Sequence, residues 1–178
     1  MKAMRRLPLL LVASLALPVA AAAVAQEPVS ALKGHNSDAP IDLTADRLEV
    51  QERADRAMFS GNVKVRQDEL TLDTSRLTVA YSSSGGVQIK RLDASGGVTV
   101  RSPSETARGT FGIYDLDRKL ITLVGDVVLQ REGSSISGQR LVIDLDSGRA
   151  IIDGGPAGVG QSGGRVTGHF TVPQRSGS

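Results

Sequence analysis

The chain has 178 residues, with 21 lysines and arginines against 19 aspartates and glutamates, two histidines, and neither cysteine nor tryptophan. Without cysteine there is no disulfide framework and no thiolate metal site, and two histidines alone give little from which to build a zinc centre or a His-based triad. The formal net charge of +2 is not a nucleic-acid signature either, because three of the cations, Lys2, Arg5 and Arg6, fall within the first six residues.

Those cations open an export signal. Leu7 to Val19 is almost wholly apolar, and Ala23-Val24-Ala25 supplies small residues for cleavage, so residues 1–25 are expected to be removed and the mature chain to begin near Gln26. The apolar run is about a dozen residues, shorter than the roughly 20 that span a bilayer. What remains carries 18 basic and 19 acidic residues, a net charge of −1, and nucleic-acid binding is discounted. Residues 26–39, with Pro28, Gly34, His35, Asn36 and Ser37, read as a mobile leader.

Order is expected to begin near Pro40, and from Ile41 to Ile152 the pattern is alternation. Val63 and Val65 alternate with Lys64 and Arg66, Leu77 and Val79 with Arg76 and Thr78, and Leu141 and Ile143 with Arg140 and Val142. A period of two marks strands with one dry face. The breaks carry turn chemistry, as in Ser82-Ser83-Ser84-Gly85-Gly86, Glu132-Gly133-Ser134-Ser135 and Asp146-Ser147-Gly148, so hairpins are the expected connections.

Sliding the sequence over itself exposes a repeat. "SGNVKV" at Ser60 to Val65 recurs as "SGGVTV" at Ser95 to Val100 and "VGDVVL" at Val124 to Leu129, with Gly61, Gly96 and Gly125 spaced by 35 and 29 residues. The 29-residue shift also lays Gly109 on Gly138 and the "DLD" at Asp115 on that at Asp144; a shift of 64 lays "SRLTV" at Ser75 on "QRLVI" at Gln139, with "DRLEV" at Asp46 a further copy. Each unit is a strand entered through a glycine, a polar turn, and a second strand of the form polar-Arg-Leu-x-Val. Such units cannot bury an apolar face alone, so the expectation is an all-β, twisted, folded-over antiparallel sheet built from repeated strand pairs. The inward side chains are then Ile41, Leu43, Leu48, Val50, Val63, Val65, Leu77, Val79, Val98, Val100, Phe111, Ile113, Ile121, Leu123, Val127, Leu129, Leu141 and Ile143. From Asp153 to Ser178 the composition shifts to Gly, Ser, Pro and Gln, with one apolar island at His169-Phe170-Thr171-Val172, and reads as a disordered tail.

Three motifs invite chemistry and fall short of it. Gly158-Val159-Gly160-Gln161-Ser162-Gly163 is formally GxGxxG, yet the motif needs a following helix, and Gly164 to Gly168 are glycine-rich with no helical pattern, so it reads as a flexible tail and not a dinucleotide site. The pairs Asp115/Asp117 and Asp144/Asp146 sit at equivalent repeat positions, where carboxylates capping their own turns explain them without a cation. His35 and His169 both lie outside the repeats. No catalytic residue, metal or cofactor is expected, and no ATP-binding motif is present. Lys64, Arg66, Lys90, Arg91, Arg101, Arg108, Arg131 and Arg140 fall on outward or strand-end positions, where some are candidates for phosphates of an anionic glycolipid.

With these residues in hand, the chain resembles the periplasmic bridge proteins of lipopolysaccharide export, the LptA or OstA-like family. The resemblance covers residues 40–152 and rests on "PIDLTADRLEV" at Pro40, "FSGNVKVRQDELTLDTSRLTVAY" at Phe59, "ITLVGDVVLQREGSSISGQRLVIDL" at Ile121, and the signal before them. It implies an open β-jellyroll with acyl chains of lipid A between facing sheets. It also implies self-association end to end, inner-membrane and outer-membrane partners in the export machinery, and residence in the periplasm. An alternating sheet suits that role on physical grounds: each CH₂ withdrawn from water is worth about 0.8 kcal/mol, and unpaired terminal strands offer backbone for β-augmentation. The rivals are a membrane-associated partner of the same system, a structural scaffold that binds nothing, and a carbohydrate-active enzyme using Asp115 or Asp144. The long Gly/Ser tail and the scarcity of aromatics depart from the family pattern.

Overall fold

A computed structural model describes Leu32 and residues 35–155 and 164–171. Among these are ten strands: β1 (Ile41–Thr44), β2 (Arg47–Gln51), β3 (Arg56–Gln67), β4 (Leu70–Ser82), β5 (Gln88–Arg101), β6 (Glu105–Asp115), β7 (Leu120–Arg131), β8 (Ser134–Asp144), β9 (Arg149–Asp153) and β10 (Thr167–His169). All pairings are antiparallel and consecutive from β3 to β8. β1 and β2 share β3 as their partner, and β9 and β10 share β8. The result is the expected folded-over sheet, open at both ends and not closed into a barrel.

One line of irregularities folds it. Ser60 pairs with Arg76 and Val63 with Thr74, so Gly61 and Asn62 stand opposite Ser75 alone. Gly96 and Gly97 likewise stand opposite Ser75 on one side and Thr110 on the other, and Gly125 and Asp126 opposite Gln139. All six bulged residues have positive φ, from 44° at Asn62 to 84° at Gly96 and Gly97. That region favours glycine, with Asn and Asp next, and bulges of this kind bend a strand sharply. Because they lie side by side across β3, β5 and β7, they form a crease that turns one sheet into two facing layers.

At three successive crease glycines, a short polar residue at the head of a repeat strand lies over the glycine. Asp46 accepts a hydrogen bond from Asn62 at 2.9 Å, and its amide donates to the Gly61 carbonyl at 2.9 Å. Ser75 Oγ donates to the Gly96 carbonyl at 3.0 Å, and Thr110 Oγ1 to that of Gly125 at 3.2 Å. The repeat is thus a staple: a short polar side chain on one strand closes over the bulge of the next.

Two bulged residues against one also set the side-chain phase. In β3, β5 and β7 an insertion of two keeps the alternation in step. In β4, β6 and β8 it slips by one at Ser75, Thr110 and Gln139, so the inward series run Leu72, Thr74, Leu77, Val79; then Ala107, Gly112, Tyr114; then Gly138, Leu141, Ile143. The slip corrects two expectations. Phe111 and Ile113 do not face inward: Phe111 is 53% exposed, and the inward places on β6 belong to Gly112 and Tyr114.

Both ends of the chain carry more order than their composition suggests. Leu32 is buried in the core, and His35 to Ala39 form hydrogen-bonded turns against the sheet. In the tail, β10 pairs with Ser135 to Ser137, and Thr171 Oγ1 donates to the Gly133 carbonyl at 3.0 Å. The signal at 1–25, the GxGxxG stretch and residues 172–178 lie outside the described residues.

If the crease depends on glycine, a Cβ there costs more than elsewhere at positive φ. At Gly125 it lands 2.8 Å from Thr110 Oγ1, whereas at Gly85 it meets nothing within 4 Å. Gly125→Ala is expected to destabilise by about 3 kcal/mol and Gly85→Ala by about 1 kcal/mol in denaturant unfolding. Equal costs would mean that the crease tolerates side chains and is not a built bend.

Candidate functional site

The inner face of the folded sheet is the extended apolar surface that the repeats lay down. Val63, Val65, Leu70, Leu72, Val98, Val100, Ala107 and Val127 line one layer; Leu77, Val79, Leu92, Ala94, Tyr114, Ile121, Leu123, Leu141, Ile143 and Leu145 line the other. Ile41, Leu43 and Leu129 are half-buried and pack against this cluster. Sixteen of the eighteen residues expected to point inward therefore occupy the inner face, and Phe111 and Ile113 do not. Leu70, Leu72, Leu92, Ala94, Ala107, Tyr114 and Leu145 belong to it as well, although sequence reasoning missed them. Their signal was present in the alternation of "LTL" at Leu70 and of Leu92-Asp93-Ala94.

Leu48 and Val50 have a special position. Their register opposite Phe59 and Ala57 puts them on the inner side, yet each is 53% exposed, on an edge strand that pairs with β3 alone. The apolar face is open at the β2 end.

Away from that end, aliphatic side chains of the two layers pack against one another. A narrow cavity of about 20 Å³ remains, bordered by Val65, Leu72 and Val100 on one layer and Leu92, Gly112 and Leu123 on the other. That is room for about one water, not for an acyl chain. The repeat explains where the room arises. Gly112 stands where the other copies carry leucine, and a Cβ there would meet Val98 at 3.0 Å and Leu123 at 3.1 Å.

At the mouth opposite the crease, a polar cluster joins the layers. Tyr114 Oη, from β6, donates to Gln67 Oε1, at the end of β3, at 2.9 Å. The same amide receives His35 Nε2 at 3.2 Å, and its Nε2 donates to the carbonyls of Ser37 at 2.8 Å and Ala39 at 2.9 Å. Gln67 is 2% exposed and spends its full hydrogen-bonding capacity here. Burial pushes the Tyr114 phenol above its ordinary value of 10.0, so it stays a donor throughout the neutral range.

The remaining polar groups have local tasks. Asp115 Oδ1 accepts the Arg118 amide at 3.0 Å; Asp144 Oδ1 accepts those of Asp146 at 3.0 Å and Ser147 at 2.9 Å, and the Ser147 bond holds the Asp144 carboxyl below its usual value. Asp117 pairs with Lys90 and Asp146 with Lys119, each at 3.3 Å. These carboxylates close turns. No cluster of three or more metal-binding side chains occurs among the described residues. Of the outward cations, Arg91 pairs with Asp93 at 2.7 Å, Arg101 with Asp73, Arg131 with Glu105 at 3.6 Å, and Arg140 with Asp153 at 2.9 Å. Arg108 donates to Gln130 at 3.0 Å, while Lys64 and Arg66 are exposed on β3.

Comparison with known proteins gives three findings. Residues 42–149 match the family model of the LptA/(LptD N-terminal domain) LPS transport protein. An uncharacterized protein of Rhizobium meliloti (strain 1021) is 35% identical over 144 residues, which span 76% of this chain and 77% of that protein. The crystal structure of LptH, the LptA homologous periplasmic component of the conserved lipopolysaccharide transport device from Pseudomonas aeruginosa, superposes with a TM-score of 0.68. The match has 16% identity and covers 78% of this chain and 99% of that one.

The bond across the mouth is measurable. Tyr114→Phe is expected to cost about 1 kcal/mol of unfolding free energy at neutral pH. Because the folded state raises the phenol's pKa, the parent protein loses stability as the pH rises past 10.0, the unfolded value, and Tyr114→Phe lacks that titration. The gap between the two should therefore narrow above pH 10.0; a constant gap would remove Tyr114 from the buried bond.

Proposed function

Because the chain belongs to the LptA/LptD N-terminal domain family of lipopolysaccharide transport proteins, we propose that it carries lipopolysaccharide through the periplasm with acyl chains held against the inner face of its folded sheet. The signal at residues 1–25 would send it there. The observation that carries this reading is the continuous aliphatic inner face, laid down strand after strand by the repeat and left uncovered at Leu48 and Val50.

The closed interior sets the mechanism. With about 20 Å³ free, an acyl chain enters only if the two layers part along the crease. Parting them in water would expose side chains such as Leu77, Leu123 and Leu141, each worth about 1.5–3 kcal/mol of burial. A lipid chain entering as they separate replaces one apolar neighbour with another, so the exchange is far less costly than opening alone. Aliphatic side chains suit this, since they have no polar atoms that must be re-paired at each position. The uncovered edge at β2 is where a chain first finds apolar surface without any opening.

Among the described residues, the four edge strands, β1 and β2 at one end and β9 and β10 at the other, each leave one side of their backbone unpaired. End-to-end stacking of copies, and pairing with inner-membrane and outer-membrane components, would use these edges. Lys64 and Arg66, exposed beside β1, offer cations for lipid phosphates.

The filled interior also suits one rival, a scaffold that binds nothing. A photoreactive side chain placed at Val65, Val79 or Leu129 separates the two. Lipopolysaccharide adducts at these inner positions, and their absence at outward Lys64, are expected for the carrier. No adduct at any inner position, with purified protein free of glycolipid by native mass spectrometry, would favour the scaffold.

A further inference from the structure

The segment before β1 is placed where a transported lipid would need to be. Leu32 is 5% exposed and belongs to the same core cluster as the inner face. His35 to Ala39 then cross the mouth opposite the crease, and their hydrogen bonds to the sheet converge on Gln67. Gln67 in turn takes the Tyr114 hydroxyl from the other layer. One amide therefore holds three things together: β3, β6 and this strap.

The chemistry of the contact is that of a stand-in. An apolar side chain lies among the aliphatic core residues, and two backbone carbonyls lie beside it on the donors of a buried amide. An acyl chain joined to a sugar through an amide or ester offers the same pair of features, a hydrocarbon followed by a carbonyl.

We infer that Leu32 and His35–Ala39 form an autoinhibitory strap that occupies the mouth of the lipid lane, and that incoming lipid displaces it by taking its place on Gln67. The inference rests on the lipopolysaccharide reading for the identity of the displacing ligand, but not for the strap itself. While the strap is down, the apparent affinity for lipid is reduced by the fraction of molecules that are closed. The strap keeps the mouth opposite the crease closed between loads.

The test weakens the strap without touching the sheet. Leu32→Ser in the full chain is expected to bind lipopolysaccharide more tightly than the parent, on the order of tenfold, and to take up more of the apolar dye N-phenyl-1-naphthylamine. Parent and variant binding both probes equally would overturn the strap. Greater dye uptake in the variant, with lipopolysaccharide bound by neither protein, would keep the strap and sink the lipopolysaccharide reading. Should Leu32→Ser unfold, spin labels at Asn36→Cys and Arg118→Cys in the otherwise cysteine-free chain decide instead. Their distance distribution is expected to broaden and lengthen at saturating lipopolysaccharide. A distribution unchanged by bound lipid contradicts displacement, as does one that is broad before any lipid is added.

Discussion

A sheet this long can bury its apolar face only by turning back on itself, and the turn is made by a row of residues held at positive φ. Gly61, Asn62, Gly96, Gly97, Gly125 and Asp126 put two residues against one at the same level of adjacent strands. Everything else follows from that constraint. It fixes which layer each half-strand joins, which side chains meet across the interior, and where the polar residue of each repeat must lie to close the bulge. Asp46, Ser75 and Thr110 perform the same service at successive glycines, which is why a short polar residue heads the repeat.

The crease also explains how one fold can be both stable and able to yield. Along the crease the layers are joined by covalent chain and by backbone ladders, while across the interior they are joined mainly by aliphatic contact, which is non-directional. Hydrogen bonding between the layers is concentrated at the mouth, in Tyr114 and Gln67. A structure with directional bonds only at hinge and latch can change its contents without remaking its core. Its open edges leave the lane continuous with whatever pairs beside them.

Much of this was legible in the amino-acid order. Alternation located the long strands, and the recurrence of Gly61, Gly96 and Gly125 marked the repeat, although these glycines lie in mid-strand at the crease and not at the strand entries that the repeat suggested. The failure on β6 has a definite cause. "TFGIY" at Thr110 is a degenerate copy of "QRLVI" at Gln139, so Phe111 falls on an arginine position and Ile113 on the outward x; hydrophobicity alone pointed the other way. The 29-residue shift that superposes Gly109 on Gly138 contained the right answer. Gln67 and Leu32 were invisible for a different reason, since a glutamine at a strand end and a lone leucine in a polar leader acquire meaning only when residues 30 or more positions apart meet. The pairing of β10 with β8 depends on a similar long-range contact.

Carriage of lipopolysaccharide by this fold requires lipid to enter between the layers. It is tested most directly by paramagnetic broadening of backbone amide signals on binding lipopolysaccharide that carries a spin label within an acyl chain. The expected result is loss of signal from both inner walls together, at Val65 and Val100 on one layer and Leu92 and Leu123 on the other. Broadening confined to the exposed outer residues Phe111, Val124 and Ile151, with the inner walls untouched, would contradict it.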